Sequence, residues 1–404
     1  MSSRALTVEE ALARILAGAT PIADVQRRDL LAAHGQVLVE PLAALLTQPP
    51  FDASAMDGYA VRAVDVASLP VTLAVVGEAA AGRAYEGAVG KGQAARIFTG
   101  APVPAGADAI VIQENAIRDG NRVTVREGTT DLEHIRPRGG DFKAGDNLLP
   151  AGRRLSSRDI VLAAAMGHAA LPVRRPPVVA ILATGDELVL PGVNPGPSQI
   201  VCSNTFGIAG MVRAAGATPR LLGIARDTSE SLADHLDRAA GADVVVTVGG
   251  ASVGDHDLVG PVLTSRGMAL DFWKIAMRPG KPLMYGRVGH QHVLGLPGNP
   301  VSSLVCARLF VMPLVRALLG LEPEPSRAIE ARTAASLAAN GPRAHYMRAT
   351  TRRSADGVLE VTPIANQDSS LMRPLADADC LIVRPIGAPA VPAGGGVPVL
   401  TLDF

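Results

Sequence analysis

Residues 277–285 read MRPGKPLMY, with Arg278 and Lys281 three positions apart around a Pro-Gly pair, directly after the strand-like run Phe272 to Met277. Two unit charges about 6 Å apart at an effective dielectric of about 20 repel by roughly 3 kcal/mol. Such a pair either splays into water or shares an anion. A second anion-binding pattern is PGNPVSS, 297–303. Asn299 suits a helix N-cap and Pro300 the first helical position. Gly298 lets backbone approach a ligand closely. The free N–H groups of that helix start, with Ser302 and Ser303, can face an anion. Carboxylates crowd the neighbouring loops: Asp186 and Glu187 in TGDEL, Asp227 after Arg226, and Asp255 and Asp257 in GGASVGDHD. Acids beside a phosphate-type anion call for a hard cation, typically Mg²⁺ that keeps several waters.

The familiar phosphate loops do not account for these residues. GGASVG lacks the GxGxxG spacing, and in RPGKP the lysine is followed by Pro with no glycine at the Walker position. The eight histidines show no HExxH or other zinc spacing, and no GxSxG elbow is present.

The elements that must position these groups are legible from residue 177 on. PVVAILA (177–183) reads as a buried strand. Helices near 204–215 and 229–240 follow, with strands at 220–225 and 243–248, then ALDFWKIAM (269–277), HVLGL (292–296) and a long helix from Pro300 to about Leu319 that Pro313 should kink. This alternation predicts a mostly parallel sheet with helices on both faces, whose ligands bind beyond the carboxyl ends of the strands. TGDEL, Arg226-Asp227-Thr228, GGASVGDHD, RPGKP and PGNPVSS are the five loops at those ends. Any one reads as an ordinary turn; five on one edge read as a site.

Before this stretch, a helix with capping-box spacing at Thr7 and Glu10 carries Val8, Leu12, Ile15 and Leu16 on one face and stops at Gly18. Residues 51–140 hold short β-rich runs separated by Gly and Pro, and Asp57-Gly58 there reads as a hairpin turn. A helix near 157–166 closed by Gly167 lies in a connector. After LEPEPS the runs YMRAT, VLEVTPI, CLIVRP and GVPVLTL predict a small β-barrel or sandwich.

Composition narrows the partners. The 404 residues include 38 Lys plus Arg and 38 Asp plus Glu, so no global charge draws the chain to nucleic acid or membrane. Aromatics are 3%, too few for base-stacking platforms. Cys202, Cys306 and Cys380 form no CxxC and fit a reducing compartment. The start, MSSRALTVEEALARIL, is charged where a secretion signal is apolar, and no uncharged apolar stretch reaches membrane-spanning length. The expectation is a cytoplasmic protein that binds neither nucleic acid nor membrane.

The motifs SAMDGYAV (54–61), IFTGAPVPAGADAIVIQE (97–114), RGGDFKAGD (138–146), ATGDEL (183–188), SVGDHD (252–257), MRPGKP (277–282) and LPGNPVSS (296–303) resemble, in order and over nearly the whole chain, those of the MoeA family of molybdopterin molybdenumtransferases and the related gephyrin E domain. The resemblance implies insertion of molybdate into adenylylated molybdopterin with Mg²⁺ and release of AMP, in molybdenum cofactor biosynthesis. It implies a homodimer, with a MogA-type adenylyltransferase as a candidate partner. It also implies four parts: an elongated linker domain (1–50 and 141–175), a β domain (51–140), a MogA-like α/β domain (176–325) and a C-terminal β-barrel (326–404). Carried over by motif, Asp57 and Thr99 come from the partner subunit, and Glu187, Asp227 and Asp257 serve Mg²⁺ and the pyrophosphate. Lys274, Arg278 and Lys281 form a basic wall. Ser302, Arg348, and Ser369 or Ser370 complete the molybdate pocket. Thr184, Gly185 and Asp186, with Gly249, Gly250, Ser252 and Gly254, and with Pro282, Gly298, Asn299 and Pro300, line the substrate. Val248, Cys202, Arg278 and Arg373-Pro374 depart from the family's common residues. A MogA-type adenylyltransferase would be the α/β domain alone, and a gephyrin-like scaffold would need no intact anion pocket.

Overall fold

The computed structural model of the chain describes residues 5–127, 134–250, 258–323 and 328–402. Ser252, Gly254, Asp255 and Asp257 lie outside the described residues. The chain divides into two compact units, Arg27–Val173 and Met1–Gln26 with Arg174–Phe404.

The first unit holds a six-stranded mixed sheet in the order Ala109–Ile112, Gly58–Val61, Gln93–Ile97, Val71–Ala79, Arg122–Val125 and Ala116–Asp119. Gly58 is no hairpin turn: it opens a fully buried strand between two antiparallel neighbours. A Cβ at Gly58 would lie 2.0 Å from the Val111 carbonyl oxygen, so the glycine permits this close strand contact. Asp159 sits at the capping-box position of helix Ser157–Ala165 and also pairs with Arg153 at 2.8 Å.

In the second unit, helix Val8–Ala17 carries the expected capping box, with Thr7 and Glu10 bonding each other's backbone N–H groups. Its buried face (Val8, Ala11, Ile15) packs beside strand Pro282–Val288, where Tyr285 Oη donates to the Ile15 carbonyl at 3.4 Å. The central sheet runs Thr218–Ala225, Val178–Thr184, Val244–Val248, Gln291–Leu296, Pro282–Val288 and Ala269–Lys274. The first four are mutually parallel, and Pro282–Val288 is antiparallel to both neighbours. Ala269–Lys274 therefore points the same way as the parallel strands, and RPGKP does reach the carboxyl edge.

The expected strand 269–277 is shorter than its apolar run suggests. It ends at Lys274 after two register shifts, and Met277–Arg278 pairs instead with Ala344 and His345 of the C-terminal sheet. Hydrogen bonding explains the break: Ile275 N–H turns to the Lys281 carbonyl at 3.1 Å and Ala276 N–H to that of Leu6 at 2.7 Å. The long helix, Pro300–Leu318, meets Pro313 without a break because a π-helical segment, Ala307–Val311, precedes it. The wider turn accommodates the ring and the N–H it lacks. This helix is apolar enough to cross a membrane, but 78% of its apolar stretch is buried in the protein, as in a core helix.

The C-terminal strands close into a five-stranded barrel. Ala344–Arg353, Leu359–Pro363, Ile329–Thr333, Gly396–Thr401 and Cys380–Arg384 follow in order, and the last pairs again with the first. Ile329–Thr333 is a strand that the sequence reading did not anticipate.

Candidate active site

Loops from the carboxyl edge and one barrel loop enclose a cleft of about 850 Å³. Thr184, Gly185 and Glu187 enter it from the end of Val178–Thr184, and Asp227 from the end of Thr218–Ala225. Gly249 and Gly250 form its floor beside Gly298, Asn299 and Pro300, and Pro282 and Ser370 complete the expected residues that line it. At Gly249 (φ +97°) a Cβ would lie 2.6 Å from the Thr184 carbonyl oxygen, and at Gly250 (φ +60°) 2.6 Å from Val259. Both positions need the left-handed backbone that glycine adopts without steric cost.

Thr184 is 5% exposed, and its Oγ1 meets no hydrogen-bond partner among the described residues. A buried hydroxyl left unpaired costs about 1–3 kcal/mol, so a donor or acceptor is wanted at the floor. Asp186 does not line the cleft. Its carboxylate accepts from Asp227 N–H at 3.3 Å and its carbonyl from Arg226 Nη1 at 2.9 Å, tying the two acidic loops together.

Asn299 occupies the N-cap position of the long helix, but its side chain caps nothing there. It donates to Ser369 Oγ at 3.0 Å, and Val301 N–H donates to the Ser369 carbonyl. Ser302 is buried in the helix, outside the cleft lining. Arg348, 1% exposed, donates to three main-chain carbonyls, Asn366, Asp368 and Leu371, at 2.9–3.1 Å. It thus organises the loop that delivers Ser370 and Met372. The Ser370 amide and hydroxyl both bind Asp368 and hold its carboxyl below the usual range.

None of the expected basic-wall residues, Lys274, Arg278 and Lys281, lines this cleft. Lys274, at the end of its strand, and Lys281, in the RPGKP turn, are exposed and make no ion pair among the described residues. Arg278 donates to Asn340 at 3.1 Å and lines a different cavity. In the other unit, the Thr99 amide and hydroxyl donate to Asp57 Oδ1 at 2.7 and 2.8 Å and lower its pKa.

The sequence reading missed an apolar wall made by Leu188, Ile200, Val201 and Met372. A two-stranded parallel ribbon, Leu188–Val189 with Ile200–Val201, builds it. The paired apolar dipeptides around VNPGPS were the available signal. Ser203 and Asn204 also line the cleft, and Asn204 donates to the Gly298 carbonyl at 2.6 Å.

A mostly parallel sheet whose carboxyl-edge loops bring glycines, two acids and an apolar ribbon to one cleft is the arrangement of an α/β ligand-binding domain. Comparison with known proteins is specific. Residues 6–167 match "MoeA N-terminal region (domain I and II)", 180–317 "Probable molybdopterin binding domain" and 330–402 "MoeA C-terminal region (domain IV)". A molybdopterin molybdenumtransferase of Nostoc is 39% identical, with 94% of this chain and 89% of that protein covered. Molybdopterin molybdenumtransferase 2 of Mycobacterium tuberculosis is also 39% identical, over 90% and 92%. The crystal structure of the molybdopterin biosynthesis MoeA protein from Pyrococcus horikoshii superposes with a TM-score of 0.83 at 29% identity, covering 99% of this chain and all of that one. The chain belongs to the MoeA family and is a transferase.

Proposed function

We propose that the protein inserts molybdate into adenylylated molybdopterin and releases AMP, completing the molybdenum cofactor. One observation carries the reading. The cleft joins a carboxylate pair, Glu187 and Asp227, to a Thr184 hydroxyl without a partner among the described residues, over a glycine floor. Lys281 stands exposed on the adjoining turn. A pyrophosphate linked to a heterocycle needs that combination, with the apolar wall taking the flat ring.

Mg²⁺ fits the donor set. No group of three or more Asp, Glu, His or Cys side chains gathers among the described residues, and Mg²⁺ asks for only one or two carboxylates beside waters and phosphate oxygens. Glu187 and Asp227 would hold it, with Asp257 as the third proposed ligand; when bound it would neutralise the pyrophosphate charge. The chain's own contribution is placement. Asp186 fixes the Asp227 loop, Arg348 and Asn299 fix the Ser369-Ser370 loop, and Lys281 supplies a charge-assisted donor to an oxyanion. We further propose a cytoplasmic homodimer in which Asp57 and Thr99 serve the partner's cleft. The four-part division, with linker 1–50 and 141–175, is retained as part of this reading.

Reconstitution tests it. Adenylylated molybdopterin, molybdate and Mg²⁺ should yield AMP and active cofactor with the purified chain. No AMP, or AMP formed equally without molybdate, rejects it.

A further inference from the structure

A second cavity, about 280 Å³, lies against the barrel and shares no lining residue with the cleft. Three basic residues line it in a single row. Arg278 pairs in register with His345 across one strand boundary, and His345 with Arg384 across the next. Residues directly opposite in a sheet share a face, with Cβ atoms about 5 Å apart, so the two arginines flank His345 on one face, one strand away on either side. Among the described residues, no Asp or Glu lines this cavity.

Arg384 is 5% exposed. Its Nη2 donates to the Ala338 and Pro389 carbonyls, and its other guanidinium donors meet no acceptor among the described residues. Asn340 is held by the Arg343, Arg384 and Pro385 carbonyls through Nδ2, so its Oδ1 is fixed towards Arg278. Burial, then Arg278, Arg343 and Arg384, push the His345 imidazole down to about 4. Arg384 thus keeps donors that no protein acceptor among the described residues takes, and they face accessible space in a cavity that also holds His345 and the exposed Arg278 and no acid.

We propose that the Arg278–His345–Arg384 row binds a small tetrahedral oxyanion, the class that includes molybdate, sulfate and phosphate. The site is separate from the cleft. The cavity admits one such ion with waters, and guanidinium forks suit its oxygens. The inference goes beyond the reading of the cleft, because the row would recognise a tetrahedral dianion whatever reaction the cleft supports.

Crystals of the full chain soaked in tungstate test it through the anomalous signal of the metal. A peak between the Arg278 and Arg384 side chains is expected, and it should weaken when molybdate, sulfate or phosphate is added in competition. Displacement by molybdate alone marks a store for the reaction's oxyanion, and equal displacement by phosphate marks a general oxyanion site; both support the proposal. Arg278→Ala, checked for an unchanged melting profile, should reduce occupancy there about tenfold, the effect of losing one charged hydrogen bond, and His345→Gln, checked in the same way, should reduce it by less, the effect of losing a neutral one. Absence of tungstate from the cavity while the cleft is filled would overturn the proposal, as would undiminished occupancy in both variants.

Discussion

Glu187, Asp227 and Thr184 carry the chemistry proposed for the cleft, and Glu187 and Thr184 each make a separate prediction. Glu187→Gln removes a charge from an exposed loop and little packing. Turnover should fall about a hundredfold, the loss typical of one preorganised electrostatic group, with the melting temperature unchanged. Thr184→Val is more discriminating. Removing a buried hydroxyl that has no partner among the described residues should stabilise the free protein by up to about 1 kcal/mol, while a hydroxyl that serves the ligand should show its loss as a higher KM. Calorimetry and steady-state kinetics on one variant read both, and a destabilised protein with normal KM would remove Thr184 from the site. At this scale the sequence was informative wherever a glycine or acid stood at a strand end. It was uninformative about direction: Arg278 and Lys281 are three residues apart, yet Arg278 lines the barrel cavity. Likewise Arg348, an oxyanion ligand by motif, is occupied by carbonyls in the fold. Side-chain aim depends on which sheet the backbone has joined, and that is a long-range property.

Elements were legible where their periodicity was strong. The alternating strands and helices from Val178 to Leu318 follow the sequence reading closely, because parallel strands buried on both faces are short continuous apolar runs. Misreadings fall where hydrogen bonding overrides that pattern. The run to Met277 divides between two sheets, and Gly58 looks like a turn residue but opens a strand. The Asn366–Leu371 loop has no period at all and is held by long-range hydrogen bonds, three of them from the buried Arg348. Arg348→Lys keeps the charge but cannot span three carbonyls. It should cost about 2–3 kcal/mol of stability in urea titrations, one to two buried acceptors' worth, and should raise KM by loosening Ser370 and Met372. Gly58→Ala should destabilise the other unit severely, since its Cβ would meet the Val111 carbonyl. A variant that melts like the parent would contradict the packing described here.

The whole molecule should be acid-sensitive in a defined window. His292 is 2% exposed, bonded through Nδ1 to Tyr285 Oη at 2.9 Å. Burial, then Arg287, push its pKa down to about 4, against about 6.5 in an unfolded chain. Below pH 6.5 the unfolded chain therefore takes up a proton that the folded one refuses. Stability should decline as pH falls from about 6.5 towards 4, by about 1.4 kcal/mol for each pH unit well below 6.5. His345, also pushed down to about 4, adds to the decline in the same direction, so His292→Gln should reduce that slope by its own share in denaturant titrations at stepped pH. The proposed dimer can be tested by mixing inactive subunits. Asp57→Ala and Asp227→Asn chains, each inactive as homodimers, should recover about a quarter of parental activity when co-expressed, because half the dimers are mixed and each holds one complete site. No recovery would place Asp57 and Asp227 in the same subunit's site.

The turn at RPGKP bears on how separable the parts of this chain are. The backbone leaves the α/β sheet at Lys274, lends Met277–Arg278 to the barrel's ladder, and re-enters at Pro282. The two modules are stitched by main-chain hydrogen bonds, which side-chain drift cannot undo. A chain cut near residue 325 would therefore expose an orphaned strand edge, with unpaired N–H and C=O groups that invite self-association. Any evolutionary or engineered exchange of the barrel must therefore carry a matching Met277–Arg278 seam with it.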